Sequence, residues 1–383
     1  MAMAIVQLDR TKRLDHAALR RAAEILMDGG LVAFPTETVY GVGACTRSKH
    51  GLERLRKLKD RPPDKPFALM VPSASAVHWL VPFLSPLPRR LMRKAWPGPL
   101  TIVVEVDNPL YCPAADVFGP EAVAPLFYSD NTIGLRCPDD PITQALLERV
   151  DGPVVSASAN RIGEPPAHNA AEVIASIGED VEMVLDGGPA PYGVASTVVR
   201  IIGGGRGYTV LRPGLLDERT IDKMAVETWL FVCTGNTCRS PMAMAVARAR
   251  LAEMIGCTQE DLPSAGYRVI SAGVLAADGV PAAPAAVQAA AGLGGNLAAH
   301  KAARLTVDAV RQADRIFVMA EAHRDAVLSL LPSAQGKVRL LSPDEPIDDP
   351  IGGSDEDYRQ SAARIASAVE ALVKEESNEN LSG

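Results

Sequence analysis

The sequence predicts an α/β protein built as two units, and three observations carry that reading. The chain has 383 residues, more than one ordinary core encloses. Short apolar, β-rich runs alternate with helix-length amphipathic or alanine-rich runs in both halves. The stretch VCTGNTCRSPMA (232–243), well past the middle, joins one such run to one such helix.

Composition narrows the class. Hydrophobic residues make up 47% and charged residues 22%, which predicts folded units up to a frayed end, EESNENLSG. Net charge is −7; residues 1–220 hold 24 basic and 25 acidic side chains, the remainder 15 and 21. Neither half is a general nucleic-acid binder by charge. One local excess stands out. Between Arg47 and Lys65 lie eight Lys/Arg against three Asp/Glu, either a solvated helix face or an anion site. No apolar run approaches the roughly 20 residues of a membrane span. The N-terminus MAMAIVQLDRTKR has no apolar signal core, so a cytoplasmic protein without a membrane partner is expected. The six cysteines form no C-x-x-C pair and read as reduced thiols. The six histidines are scattered, with no H-E-x-x-H and no Cys/His cluster, so no metal site made of protein side chains alone is expected.

The elements follow in order. LDHAALRRAAEILMDGG (14–30) is a helix with Asp15 near its cap and glycines at its end. LVAFPTETVYGVG is a strand, a proline break, then hydroxyls and glycines. GLERLRKLKDRPPDKPFALMV (51–71) is a helix with Leu52, Leu55 and Leu58 on one face, ending in Lys59, Arg61 and Lys65. WPGPLTIVV (96–104) turns into a strand, and NTIGLRCP (131–138) puts Arg136 at a strand end. VVSASAN (154–160) closes a strand with Ser156, Ser158 and Asn160. DGGPAPYGVASTVV (186–199) and LRPG (211–214) follow, with IIGGGRGY as a hairpin tip between them. No phosphate-binding glycine motif is present. Strands that end in serine, threonine and arginine make a polar groove for an anionic, hydroxyl-rich ligand.

In the rear half, TWLFV (228–232) is a buried strand and SPMAMAVARARLAEMI (240–255) a helix with Pro241 in its first turn. The loop between them faces a helix N-terminus, where free N–H groups and the helix dipole gather anions. The same field stabilises a thiolate, which makes Cys233 a candidate nucleophile. Arg239 is the one arginine that lies six positions after a cysteine, and its planar fork grips two phosphate oxygens. Gly235 allows a tight turn, Asn236 tolerates a left-handed conformation, and Ser240 can hydrogen-bond the sulfur. Cys238 is either loop packing or a redox partner of Cys233. A leaving group needs a proton donor, and Asp349, in the glycine-rich IDDPIGGSDEDY (347–358), is the candidate acid.

CTGNTCRSPMA, SAGV (271–274), LTVDAVRQADRIFVM (305–319) and DPIGGS (349–354) occur in an order that resembles the low-molecular-weight protein tyrosine phosphatase family, over about 227–375. The resemblance implies a doubly wound four-stranded parallel sheet, Cys233 as nucleophile, Arg239 as phosphate clamp and Asp349 as acid. Thr234, Gly235, Asn236, Thr237, Cys238 and Ser240 would form the phosphate loop, and no cofactor is implied. Thr237 is similar to the protein-arginine phosphatase subgroup, since tyrosine-directed members carry an aliphatic residue there. Ile351 stands where the family usually has an aromatic. A phosphoprotein is the implied substrate, phosphoarginine first and phosphotyrosine as the alternative. No cysteine follows Cys257, unlike arsenate reductases of this fold.

The front half carries PTETVYG, K-D-R-P-x-x-K-P (59–66), WPGPLT, T-x-x-x-R-x-P (132–138), SASAN and S-T-V-V…LRPG. Over roughly 10–216 this set resembles the YrdC-type threonylcarbamoyl-AMP synthase family. The resemblance implies a twisted mixed sheet with a concave groove. It also implies a reaction joining L-threonine, bicarbonate and ATP, with Mg²⁺ on the phosphates, that feeds the tRNA-modification machinery. Lys59, Arg61, Lys65, Thr132, Ser158, Asn160 and Arg212 would then bind ATP, and Thr36, Arg136, Ser156 and Ser196 would hold threonine. Pro166 and Met70 depart from the family's hydroxyl and histidine. An RNA-binding module is the alternative for this half. The expected boundaries are 1–216, a linker at 217–227, a phosphatase unit at 228–375 and a disordered tail at 376–383.

Overall fold

The computed structural model describes residues 3–11, 14–205, 207–343 and 347–381. The chain divides into two compact units, Met1–Met224 and Ala225–Ser382.

The first unit is built on one mixed ten-stranded sheet. Its strands are β1 (Ala4–Gln7), β2 (Val32–Phe34), β3 (Gly41–Cys45), β4 (Ala68–Met70), β5 (Leu100–Glu105), β6 (Thr132–Arg136), β7 (Val154–Ser158), β8 (Met183–Asp186), β9 (Thr197–Ile202) and β10 (Gly207–Arg212). Their spatial order is β1-β8-β2-β3-β7-β4-β6-β5-β9-β10. The central strands alternate faces. In β6, Ile133 and Leu135 are fully buried in apolar packing, while Gly134 and Arg136 share the opposite face. Helix His16–Met27 begins at Asp15, whose carboxylate accepts from the Ala17 and Ala18 amides. It packs Leu19, Ala22, Ala23 and Leu26 into a core with Val32, Phe34, Val154 and Leu185. The basic segment forms helix Lys49–Leu58, which ends well before residue 71; Leu52 and Leu55 are buried and Leu58 is half-buried. β9 and β10 pair antiparallel as the expected hairpin, with Arg206 outside the described residues.

The second unit holds β11 (Glu227–Cys233), β12 (Tyr267–Gly273), β13 (Arg315–Val318) and β14 (Val338–Leu340), all parallel, in the order β12-β11-β13-β14. Parallel strands bury both faces. Trp229, Phe231 and Cys233 pack with helices Arg239–Ile255 and Asp355–Leu381 on one side. Leu230 and Val232 pack with helices Val307–Gln312 and Glu321–Leu330 on the other. Phe317 stacks on Phe231 at 5.2 Å and meets Trp229 edge-on at 5.3 Å.

The linker segment 217–227 holds a short helix, Glu218–Ala225, and β11 starts two residues later. Asp217 caps that helix at the Thr220 amide, Ile221 is fully buried, and Asp222 accepts from Tyr208 Oη at 2.6 Å. The segment from 376 is helical through Leu381 rather than frayed. Apolar residues recur every three or four positions from Tyr358 to Val373, and buried Glu376 accepts from Tyr267 Oη and pairs with Arg315 at 2.8 Å.

Candidate active sites in the two units

In the first unit a cavity of about 330 Å³ lies over the polar face of the central strands. Alternate residues supply its floor: Ser156 and Ser158 of β7, Ala68 and Met70 of β4, Gly134 and Arg136 of β6, and Thr101 and Val103 of β5. Thr36, Lys59, Arg61, Ser196 and Arg212 complete the polar wall. Eight of the anticipated residues are therefore gathered in one place, together with Pro166. Gly214 lets the LRPG turn press on the neighbouring chain, since a Cβ there would stand 2.4 Å from the Ala195 carbonyl.

Four cations meet here. Arg136 Nη2 donates to Glu37 Oε1 at 3.0 Å and to Thr38 Oγ1 at 2.6 Å, and its buried Nε has no protein partner. Glu37, 2% exposed, also accepts from the Asp139 amide, so its carboxylate is held from two sides. Arg212 donates to the Ser196 carbonyl and Oγ, and Ser196 Oγ lies 3.0 Å from Thr101 Oγ1. Burial, and then Arg136, lower the Arg212 pKa from its ordinary value. Lys59 Nζ donates to the Ser158 carbonyl at 3.1 Å and to the Asn160 carbonyl at 2.6 Å. Burial chiefly lowers its pKa, which favours an anion that would restore the charge. Arg61 is fixed by the Lys65 and Pro66 carbonyls and lies over Phe67, 4.8 Å from the ring centre.

Three anticipated residues do not line this cavity. Lys65 is exposed and offers its carbonyl to Arg61. Asn160 braces Lys59 and donates to the Arg161 and Glu164 carbonyls. Thr132, at the start of β6, donates to Asp130 Oδ1 at 2.8 Å. Sequence reasoning missed Glu37 and Thr38. The available clue was an acidic residue between two threonines directly after a buried strand.

In the second unit Cys233 ends β11 and the loop to Arg239 turns over it. The Asn236 amide donates to Cys233 Sγ at 3.3 Å, and Ser240 Oγ lies 3.0 Å from the same sulfur. Ser240 Oγ also lies 3.2 Å from the Ala272 carbonyl, so its one proton has two acceptors in reach. Asn236 has φ 55° and is anchored on three sides. Its Nδ2 donates to Ser240 and Ser271, its Oδ1 accepts from the Ala303 amide, and its carbonyl lies 2.9 Å from His300 Nε2. Gly273 stands opposite Cys233 in register, and a Cβ there would sit 2.6 Å from the Thr234 carbonyl. That close approach needs glycine.

Arg239, 6% exposed, forms an ion pair with Asp349 and donates to the Ile347 carbonyl at 3.1 Å. Its Nη2 lies 3.5 Å from Thr234 Oγ1, and its Nε is buried without a partner. The sulfur is thus held at the start of the loop by Asn236 and Ser240, and the guanidinium that ends the loop pairs with Asp349. Thr237 Oγ1 is 3.6 Å from Cys238 Sγ, which is itself 3.3 Å from Tyr358 Oη and buried. Gly235, expected to allow a tight turn, is not in the left-handed region, and a Cβ there would meet only Thr237 Oγ1, at 3.5 Å, so the turn does not require glycine at this position. Ile351 is 69% exposed.

Comparison with known proteins agrees with this division. The Sua5/YciO/YrdC family model, described as telomere recombination, matches residues 24–214. The low molecular weight phosphotyrosine protein phosphatase model matches residues 228–381. A threonylcarbamoyl-AMP synthase of Pyrococcus abyssi is 32% identical over 216 residues, covering 56% of this chain and 59% of that protein. One from Bacillus subtilis is 32% identical over 181 residues, covering 47% and 49%. The chain thus spans about half the length of these curated relatives. A shorter synthase of Chromohalobacter salexigens is 37% identical over 183 residues, covering 48% of this chain and 88% of that protein. Two solved structures resemble the second unit. The YwlE arginine phosphatase of Geobacillus stearothermophilus is 32% identical, with a TM-score of 0.36, and covers 40% of this chain and 96% of that one. The tyrosine phosphatase AmsI of Erwinia amylovora is 30% identical, with a TM-score of 0.34, and covers 39% and 92%. The chain belongs, through its first unit, to the Sua5/YciO/YrdC family, and it carries a low molecular weight phosphatase unit behind it.

Proposed function

We propose that the chain is a bifunctional enzyme, with a threonylcarbamoyl-AMP synthase in front and a cysteine-dependent protein phosphatase, acting on phosphoarginine, behind. The observation that supports the first activity is the cavity that combines Lys59, Arg61, Arg136 and Arg212 with the hydroxyls of Thr36, Ser156, Ser158 and Ser196. Two anions, a polyphosphate and an amino-acid carboxylate, suit four cations. Arg136, with Thr36, Ser156 and Ser196, takes the threonine; Lys59, Arg61, Ser158 and Arg212 take the nucleotide. The threonine amine adds to bicarbonate with loss of water. A carbamate oxygen then attacks the α-phosphorus, and the bond to pyrophosphate breaks. Among the described residues no group of three or more His, Cys, Asp or Glu side chains could hold a metal ion. In this reading Mg²⁺ accompanies the nucleotide, and no step runs through an ion held by the protein.

For the second activity, Cys233 held by Asn236 and Ser240 at the start of the loop, and the Arg239–Asp349 pair at its end, support the assignment. Phosphate oxygens displace the Asp349 carboxylate from Arg239, and the freed carboxylate takes up the proton that the Cys233 thiol gives up. The thiolate attacks phosphorus, the P–N bond breaks, and Asp349 gives that proton to the leaving nitrogen. Water then attacks the phosphocysteine, returns a proton to Asp349 and frees inorganic phosphate. Thr237 and the aliphatic Ile351 favour a guanidinium over an aryl phosphate. The chain acts in the cytoplasm and hands its adenylate to the tRNA-modification machinery. Among the described residues no helix is long and apolar enough to cross a membrane.

Each activity has its own test. Pyrophosphate release from ATP and bicarbonate must depend on L-threonine; release that ignores threonine rejects the synthase. If the front half instead binds RNA, its affinity must fall steeply with salt. Phosphatase turnover that survives Cys233→Ser rejects the nucleophile. An unchanged preference for phosphoarginine over phosphotyrosine peptides in Thr237→Ile removes the case for arginine.

A further inference from the structure

His323, which sequence reasoning did not single out, shares a threonine oxygen with Arg239. It sits in helix Glu321–Leu330, just past the C-terminal end of β13, and is 5% exposed. Its Nε2 lies 2.9 Å from Thr234 Oγ1, the first side chain of the phosphate loop after Cys233. Arg239 Nη2 approaches the same oxygen at 3.5 Å.

A guanidinium only donates, so Thr234 Oγ1 receives Arg239 with a lone pair. The hydroxyl proton reaches His323 Nε2 in the tautomer that carries the ring proton on Nδ1, an atom that is buried and has no protein partner. Burial, and then the Arg239 guanidinium, hold the His323 pKa below the ordinary histidine value, against the opposing pull of Asp349. A neutral ring at neutral pH is the form that can accept.

We propose that His323 is a positioning residue of the phosphate loop: by taking the Thr234 hydroxyl proton it turns that oxygen's lone pairs toward Arg239 and steadies the guanidinium as a clamp. This inference rests on the phosphatase reading. An apolar side chain at 323 leaves the Thr234 hydroxyl free to rotate, and Arg239 loses one of the groups that orient it. The geometry of the clamp matters most when charge develops on the transferring phosphoryl group, so the effect falls on turnover.

The test uses the full-length chain with p-nitrophenyl phosphate, comparing wild type, Cys233→Ser, Thr234→Val, His323→Leu, His323→Gln and the Thr234→Val/His323→Leu pair. His323→Leu should lower kcat about tenfold, the effect of one hydrogen bond, while KM stays within about twofold. His323→Gln offers an amide oxygen to the same hydroxyl and should recover most of the rate. The double variant should be no slower than the slower single variant, because both changes remove one interaction. Wild-type turnover in His323→Leu, or losses that multiply in the double variant, overturns the inference while Cys233→Ser remains inactive. If His323→Leu does not fold, Thr234→Val against His323→Gln decides: a normal rate in Thr234→Val overturns it. Turnover that survives Cys233→Ser instead overturns the phosphatase reading, and the inference with it.

Discussion

Gly134→Val separates the fold of the first unit from its cavity. Gly134 lies in β6 between Ile133 and Leu135, which face the core, and it shares its face with Arg136. A Cβ built there meets Ala68 Cα at 3.7 Å and Ala68 Cβ and Val103 Cγ2 at 3.8 Å, all ordinary contacts. The fold therefore accepts the substitution. Valine also suits a strand better than glycine, by up to about 1 kcal/mol, which raises the melting point of a unit this size by roughly 2–4 °C. The isopropyl group, however, occupies the floor where ligand should lie. Forcing a ligand past extra methyl groups costs about 1–3 kcal/mol, or roughly 5–150-fold in kcat/KM. Circular-dichroism melting and threonine-dependent pyrophosphate release on the same preparation measure both effects. A folded Gly134→Val protein that keeps full synthase activity refutes the placement of substrate in this cavity.

Three further outcomes follow from the same geometry. Glu37→Ala leaves Arg136 buried without its carboxylate, which costs about 3–5 kcal/mol and lowers the first unit's melting point by roughly 6–20 °C; a melting point within 2 °C of wild type, checked by calorimetry, contradicts the ion pair. Phe317→Ala removes the ring between Trp229 and Phe231 and costs about 3–5 kcal/mol in chemical denaturation of the second unit, and a loss under about 1 kcal/mol contradicts that packing. For pH, His323 has a folded pKa below its unfolded value of 6.5. The unfolded chain therefore binds the proton first, and the second unit loses stability as pH falls from 6.5 toward the folded value. His323→Gln should flatten that part of the stability profile, and an unchanged slope rejects the assignment.

The strand and helix around Cys233 were legible because both carry strong local patterns, an apolar β-rich run and an alanine-rich run opened by proline. The cavity was legible as a polar groove from strands that end in serine, threonine and arginine, and its individual residues through the motifs that resemble the YrdC-type family. Glu37 was not legible as a partner of Arg136, since 99 residues separate them and only the sheet order brings β6 near the PTETVYG turn. Lys65 and Asn160 lie in the right motifs, but Lys65 serves Arg61 through its carbonyl and Asn160 serves Lys59 through its carbonyl as well as its side chain, backbone roles that no side-chain pattern announces. The helix through Leu381 was hidden by its polar composition. Its anchor, Glu376, finds a phenol and a guanidinium from distant strands.

The parallel arrangement around β11 sets the order in which the reactive sulfur becomes sheltered. Strands that run side by side in one direction cannot be consecutive hairpin partners. β12 is complete only at Gly273 and β13 at Val318, 40 and 85 residues after Cys233. At about 5–20 residues per second, a ribosome needs roughly 4–17 s to add the last of these. Until then the thiol travels on an unfinished chain that lacks at least one of its two sheet neighbours, and it gains the shelter of the folded unit, where it is 3% exposed, only after that interval.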